Sequence, residues 1–304
     1  MSNTKYSIKV ETKHWYILFI LVLFWGSSFA FNKIAVRDIS PMWVVALRIS
    51  IGAVLLIAYL FAKRLKFVPT KEHIAWFVGL GALGTVAPFT LISWGVQFVP
   101  SSIAGILMAT VPLAVIILAH FILPDEKLSS RKASGFLIGF VGVVILVGVG
   151  GVTQLQNGTM QLWALLGITL AALCYALNGT LARHMPRIGN VEKSVGVLLA
   201  AALMALPMAW IFEPNGLVGA NSASLLAVIV LGIFPTALAT VLLFKVLTEA
   251  GASFLALSNY LVPVFAVFLG VTFLGETLVW SDWVGFGLVL SGILITERKK
   301  KPAS

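Results

Sequence analysis

The sequence predicts an all-α integral membrane protein: ten transmembrane helices, arranged as two inverted five-helix repeats around a central cavity. Three observations carry this expectation. The 304-residue chain is 60% hydrophobic and 11% charged, with a mean hydropathy of +1.02, where a soluble domain carries about 25% charged residues. Its apolar runs approach the ~20 residues that a helix needs to cross ~30 Å of hydrocarbon. And one passage is written twice. Gly81, Ser102, Val111, Pro112 and Leu118 recur 151 positions later as Gly232, Ser253, Val262, Pro263 and Leu269. Glu126, Gly135, Phe136 and Gly142 recur 150 positions later as Glu276, Gly285, Phe286 and Gly292. An odd number of spans per copy turns the second copy over in the bilayer. That is the architecture of alternating-access transport, with a binding site near the midplane between the halves.

In chain order, residues 1–14 form a cytoplasmic N-terminus. Lys5, Lys9 and Lys13 precede an apolar run too long for a signal-peptide core, and no small-residue cleavage site follows it cleanly, so no cleavable leader is expected. The first repeat, 15–150, holds helices at 15–36, 41–62, 74–97, 102–123 and 133–149. An uncharged outer linker follows at 151–160, containing Gln154, Gln156, Asn157 and Gly158. The second repeat, 161–296, holds helices at 161–182, 193–212, 223–246, 252–274 and 281–296. The fifth and tenth are short and occupy corresponding places. Residues 297–304 are a basic cytoplasmic tail.

The net charge of +10 is topological. Lys5, Lys9, Lys13, Lys63, Arg64, Lys66, Lys71, Lys127, Arg131, Lys132, Arg183, Arg187, Lys193 and Arg298 to Lys301 are 17 of the 21 basic residues, and all fall in segments on one predicted side. The loops on the other side, around Val99–Ser101, Gly150–Gln161, Glu213–Ala220 and Gly275–Ser281, hold none. This is the positive-inside pattern, and it places a multi-pass protein of the cell (inner) membrane with both termini in the cytoplasm. The lipid bilayer and a small-molecule substrate are the expected partners, with anionic headgroups adding some attraction. Nucleic acid is not expected, because no basic, aromatic-interleaved soluble face exists. The oligomeric state is not encoded in any pattern here.

Several chemistries are absent. The single cysteine, Cys174, lies inside the sixth helix, which excludes an internal disulfide and a cysteine-built metal site. No His-Glu-x-x-His, mid-span carboxylate pair or nucleophile–base pair suggests an enzyme, and no cofactor is implied. Gly135, Gly139 and Gly142, with Gly285, Gly287 and Gly292, indicate close helix packing rather than a phosphate loop.

Of the remaining basic residues, Arg37 sits at the outer boundary. Lys33 and Lys245 lie near helix ends, where they can snorkel. Arg48 lies two turns into the second helix, where a charge costs at least ~2.5 kcal/mol and must find partners or water. The first helix carries Trp25–Gly26–Ser27–Ser28–Phe29 and Asn32, answered in the sixth by Tyr175–Ala176–Leu177–Asn178–Gly179. These suit either helix packing or a cavity wall. Pro88 is answered by Pro235, and Pro112 by Pro263. Paired prolines in membrane helices point to a transporter site or hinge. Phe89, Thr90, Ser93, Trp94 and Gln97 stand near the first kink, with Thr236, Thr240, Phe244 and Lys245 near its counterpart. Asn259 and Tyr260 precede Pro263. Trp25, Ser28, Asn32, Arg48, Phe89, Trp94, Tyr175, Asn178, Thr236, Lys245, Asn259 and Tyr260 are therefore the candidate substrate-binding residues. Trp94 and Tyr260 read as deep, whereas Trp15, Trp76, Trp280 and Trp283 read as interfacial anchors. Glu126 and Glu276, closing the fourth and ninth helices, are expected to accept hydrogen bonds from the first turn of the next helix. No Asp or Glu sits mid-span, so the usual carboxylate relay for proton coupling is missing. His120 is the only histidine expected inside a span.

These residues resemble the ten-helix exporters of the EamA-type family in the drug/metabolite transporter superfamily. The resemblance rests on Trp25–Phe29 with Lys33, Leu47–Arg48, Gly105 to Pro112 followed by Glu126, Gly251–Ala252–Ser253, Pro263 and Gly275–Glu276. Lys245 falls where many relatives carry Arg, and Cys174, Leu177 and Asn178 depart from the family pattern. The resemblance implies a basket of helices one to four and six to nine around the cavity, with five and ten peripheral. It also implies export or facilitated movement of small metabolites, often amino acids. A multidrug or nucleotide-sugar-like carrier, proton-coupled in some members, is the alternative.

Overall fold

The computed structural model describes residues 11–122, 128–150 and 159–297. Glu126, most of the linker and the terminal basic residues lie outside them. Among the described residues, ten helical segments follow one another: α1 (Thr12–Ala35), α2 (Pro41–Ala62), α3 (Lys71–Gly95), α4 (Ser101–Ile122), α5 (Ser130–Val147), α6 (Thr159–Leu181), α7 (Asn190–Phe212), α8 (Ser222–Glu249), α9 (Ser258–Leu274) and α10 (Trp280–Glu297). The first eight are long and apolar enough to span a bilayer, and α9 and α10 are shorter apolar helices. The short pair is thus α9 and α10, not α5 and α10. A break at Ala256–Leu257 separates α9 from the four-residue turn Ala252–Leu255, while a π-helical turn, Ile145–Gly150, extends α5.

Helices α1 and α3 begin three residues earlier than the apolar runs suggest. In each, a histidine at the third helical position reaches back to a backbone N–H that the helix leaves unpaired. His14 Nδ1 accepts from Glu11 N at 2.9 Å, and His73 Nδ1 from Thr70 N at 3.1 Å. Both imidazoles are buried, so His120 is not the only histidine in a span, and its own side chain is exposed.

Three of the four paired prolines sit at irregularities, while Pro263 lies inside the regular helix Ser258–Leu274. Proline has no N–H to donate and its ring clashes with the preceding turn. The helix relieves this in α3 and α8 by widening to a π-helix, at Ala82–Val86 just before Pro88 and at Gly232–Leu238 around Pro235. In α4 the chain tightens at Ala109–Thr110, next to Pro112, with Thr110 N bonded to Leu107 O at 3.1 Å.

Packing has a simple rule. The main partner of every helix comes from the other five: α1 packs on α8 and α9, α6 on α3 and α4, α2 on α7 and α8, α7 on α2 and α3, α4 on α9, and α5 on α10. Exchanging each helix for the one five places away maps this pattern onto itself. The α5–α10 pair lies to one side and presents exposed Leu137, Phe140, Val144, Trp283 and Leu294. Its contact is backbone to backbone. A Cβ on Gly285 would lie 2.9 Å from Gly142 O, and one on Gly135 would lie 2.6 Å from Gly292 O. Only hydrogen fits there. Gly285→Leu is therefore expected to destabilise the fold by about 1–3 kcal/mol through overpacking. Gly287, which has nothing within 4 Å of an added Cβ, should tolerate leucine. Thermal unfolding of the two variants in detergent tests the contrast.

Candidate functional site

The centre of the bundle is built on the α2–α8 crossing. A Cβ on Gly232 would lie 3.1 Å from Arg48 O, and one on Gly52 would lie 2.6 Å from Thr236 Cγ2, so these glycines let the two backbones meet. Pro235 donates nothing to the carbonyl of Leu231, four residues back, and the π-helical turn carries that carbonyl on to Thr236. Thr236 Oγ1 also donates to Leu231 O, at 2.7 Å. The same oxygen accepts from Arg48 Nε at 3.0 Å. The guanidinium carbon lies 3.9 Å from the ring centroid of Phe89, which follows Pro88 as Thr236 follows Pro235. The Phe89 ring is tilted against Tyr175 at 6.4 Å. Arg48, Phe89, Tyr175 and Thr236 thus meet from α2, α3, α6 and α8.

Arg48 is only 6% exposed. Among the described residues it forms no ion pair, and its guanidinium donates to the protein through Nε alone. A charged hydrogen bond contributes about 1.5–3 kcal/mol and a desolvated cation–π contact about 2 kcal/mol. Together these offset the ~2.5–3.5 kcal/mol that an arginine costs at the centre of a membrane helix. The positive charge is held in place without being neutralised.

The other predicted residues spread around this centre. Asn32 is buried and accepts from Ser93 Oγ at 3.0 Å. Ser28 Oγ is spent on Trp25 O in its own helix at 2.6 Å, and the Trp25 ring packs on the Leu18–Leu21–Val246–Phe254 cluster. Asn178 packs on Gly84, and its Oδ1 is buried with no hydrogen-bond partner among the described residues. Asn259 and Tyr260 are half-buried on α9. Two residues stand apart. Lys245 is exposed, at the α8 end where Glu249 meets His14 at 3.2 Å. Trp94 is the penultimate residue of α3, not a mid-span one, and lies against Phe98 and Gly167. The apolar run through Gln97 made α3 look longer than it is.

The end of the bundle where α1 turns into α2 is cross-tied between distant segments. Glu276 accepts from Ser101 N at 2.6 Å, Ser101 Oγ at 2.8 Å, Ser102 N at 2.9 Å and Ser102 Oγ at 2.7 Å. It caps α4, from the other half of the chain, and not the next helix as its position suggests. Glu213 does the same for α2, accepting from Met42 N at 2.9 Å, while its own carbonyl accepts from Trp43 Nε1 at 2.8 Å. Lys33 caps the opposite pole of α3, donating to Val96 O and Val99 O. Ser224 Oγ donates to Asp38 at 2.7 Å. Glu213, Asp38 and Ser224 escape sequence reading because each looks like an ordinary loop or cap residue. The tandem Ser101–Ser102 after Pro100 was the available clue to a helix start that needs an acid.

A second space lies away from these residues. A cavity of about 590 Å³ runs between α1, α8 and α9, lined by Leu23, Phe24, Ser27, Ala30, Phe31, Ile34, Val230, Phe234, Phe265, Leu269, Phe273 and Leu274. None of the predicted binding residues lines it.

Residues 13–148 and 162–298 each match the EamA-like transporter family. The chain belongs to that family. It is a multi-pass membrane transporter, and the two matched segments coincide with α1–α5 and α6–α10. The chain is 27% identical over 276 residues to the "Uncharacterized transporter YoaV" of Bacillus subtilis (strain 168), covering 90% of this chain and 93% of that one. It is 26% identical over 282 residues to the "S-adenosylmethionine/S-adenosylhomocysteine transporter" of Chlamydia muridarum (strain MoPn / Nigg), covering 89% and 87%. A solved structure described as "Crystal structure of protein" superposes with a TM-score of 0.66 at 21% identity, over 95% of this chain and 98% of that one, which shows a shared fold.

In this EamA-type transporter, no group of three or more His, Cys, Asp or Glu among the described residues is placed to hold a metal ion. The proline-linked threonine is the joint on which the central charge depends. Thr236→Val removes the hydroxyl but keeps the shape, leaving Arg48 Nε unpaired. It should cost about 1–3 kcal/mol, whereas Thr236→Ser should stay near wild type. Thermal inactivation of purified protein measures both.

Proposed function

We propose that the chain is a secondary transporter that moves small amphipathic metabolites with an anionic group, such as amino acids or aromatic compounds, by alternating access between two inverted repeats. The observation that carries this reading is Arg48. A permanently charged guanidinium is held at the core by a threonine and an aromatic face, with no acid among the described residues to neutralise it. A carboxylate on the cargo would supply the missing partner through a bidentate pair. Phe89 and Tyr175 would receive its apolar body, and Asn32, Asn178, Asn259 and Tyr260 would complete the wall.

The remaining geometry supports the same cycle. The irregular turns at Pro88, Pro112 and Pro235, and the break at Ala256–Leu257 ahead of Pro263, interrupt helices that would have to bend, since soft points are where rocking helices absorb rotation. Basic residues Lys63, Arg64, Lys66, Lys71, Arg183, Arg187 and Lys193 gather at one end, which we assign to the cytoplasm of the cell (inner) membrane together with both termini. The cross-tied end with Glu276 and Glu213 then faces outside and is closed. The acids of the described spans lie at helix ends, which favours facilitated movement over a proton relay and disfavours a pump for cationic drugs.

The test is counterflow in proteoliposomes with a panel of amino acids and related anions, with and without a pH gradient. Saturable exchange is expected in the wild type. Arg48→Gln should lower it about 10- to 100-fold, the equivalent of one charged hydrogen bond, with Arg48→Lys intermediate and Trp94→Phe near wild type. Undiminished exchange by a folded Arg48→Gln protein would remove the proposed anion site.

A further inference from the structure

We infer that the cavity between α1, α8 and α9 is a binding site for one acyl chain of a membrane phospholipid. Its chemistry admits little else. Eleven of its twelve lining residues are apolar, and the hydroxyl of the exception, Ser27, is turned back on Phe24 O at 3.2 Å. Water has no partners there, and apolar cavities of this kind stay dry. A volume of about 590 Å³ inside a bilayer is filled by what surrounds it.

The mouth and the length point to lipid. Phe234 is 38% and Phe273 74% exposed on its rim, and the flanks continue into Leu226, Ile229, Val264 and Phe268, all exposed. The opening therefore merges with the lipid-facing belt of a membrane protein, not with a polar vestibule. The α1 floor, Leu23 to Ile34, is half-buried or buried throughout. It measures about 16 Å at 1.5 Å per residue, close to the ~15 Å hydrocarbon depth of one leaflet. The slot is bounded at one end by the Phe24–Phe234 ring contact at 5.3 Å and at the other by the Ser224 Oγ to Ile34 O bond at 3.1 Å. Three residues beyond Ile34 stands exposed Arg37, which forms no ion pair among the described residues. It is placed where the phosphate of a lipid whose chain fills the slot would lie. The inference is independent of what the transporter carries.

The full chain, reconstituted in phosphatidylcholine–phosphatidylglycerol vesicles doped with a phospholipid bearing a diazirine midway along one chain, is irradiated and its adducts are mapped by peptide mass spectrometry. Adducts on Ala30, Phe31 and Ile34 are expected beside those on exposed Phe268. Ala30→Trp, which fills the slot, should lose the α1 adducts and keep the Phe268 one. Labelling of Phe268 without α1, or α1 labelling that survives Ala30→Trp, overturns the inference. A second measurement does not depend on the bulky variant. In a Cys174→Ala background, Ala30→Cys should resist a charged, membrane-impermeant thiol reagent in the folded protein and react with it once the protein is unfolded, because a thiol among apolar side chains does not ionise. Reaction of the folded protein with the charged reagent would show a water-filled space and overturn the acyl-chain site.

Discussion

A proline without an N–H is the constraint from which the centre of this protein follows. In hydrocarbon no water can satisfy a backbone group freed by proline, and each one left bare costs several kcal/mol. Pro235 cannot serve Leu231 O, and the helix widens so that Thr236 does. The Thr236 hydroxyl also donates to that carbonyl, at 2.7 Å, and its oxygen then has a lone pair to offer. Arg48 uses it. The sequence of causes runs from an absent N–H, to a hydroxyl, to a fixed cation, to an aromatic ring beneath that cation. The same logic governs the helix ends, where the carboxylates of Glu276 and Glu213 meet first-turn N–H groups of helices far away in the chain. Backbone satisfaction and long-range cross-linking are here one device.

Much of this was legible in the residues. Ten apolar runs, the doubled passage and the paired prolines gave the helices and their irregularities, because those signals are local and periodic. Arg48 stood out because a charge in an apolar run is costly wherever it points. What stayed hidden was pairing. Nothing near Glu276 says that its partners are Ser101 and Ser102, 175 and 174 positions away. Trp94 looked central because the hydropathy of Gly95 to Val99 does not reveal that the helix has ended. His14 and His73 lie outside the apolar runs, yet helix-capping geometry draws them in. The split between Arg48, which joins four helices, and Lys245, which lies exposed on one, could not be read from two basic residues in two apolar segments.

The glycines at the edge of the bundle show how duplication is used. Gly135 and Gly142 are the counterparts of Gly285 and Gly292, yet the contacts run Gly135 to Gly292 and Gly142 to Gly285. A crossing between equivalent helices requires this exchange, as a self-complementary interface does between two subunits. One copied motif therefore serves both sides of a single seam.

The packing rule also has a consequence for how the chain is made. Each of the first five helices has its main partner among the last five, which have not yet been synthesised when the first emerge. At ~5–20 residues per second, the second half occupies the ribosome for roughly 7–30 s. During that time Arg48 has no Thr236, α5 has no α10, and the first turn of α4 has no Glu276. The nascent half must wait in the bilayer as separately inserted helices whose polar groups are covered by lipid headgroups, the translocon or a chaperone. A chain truncated between the halves is thus not a smaller transporter but an unassembled one.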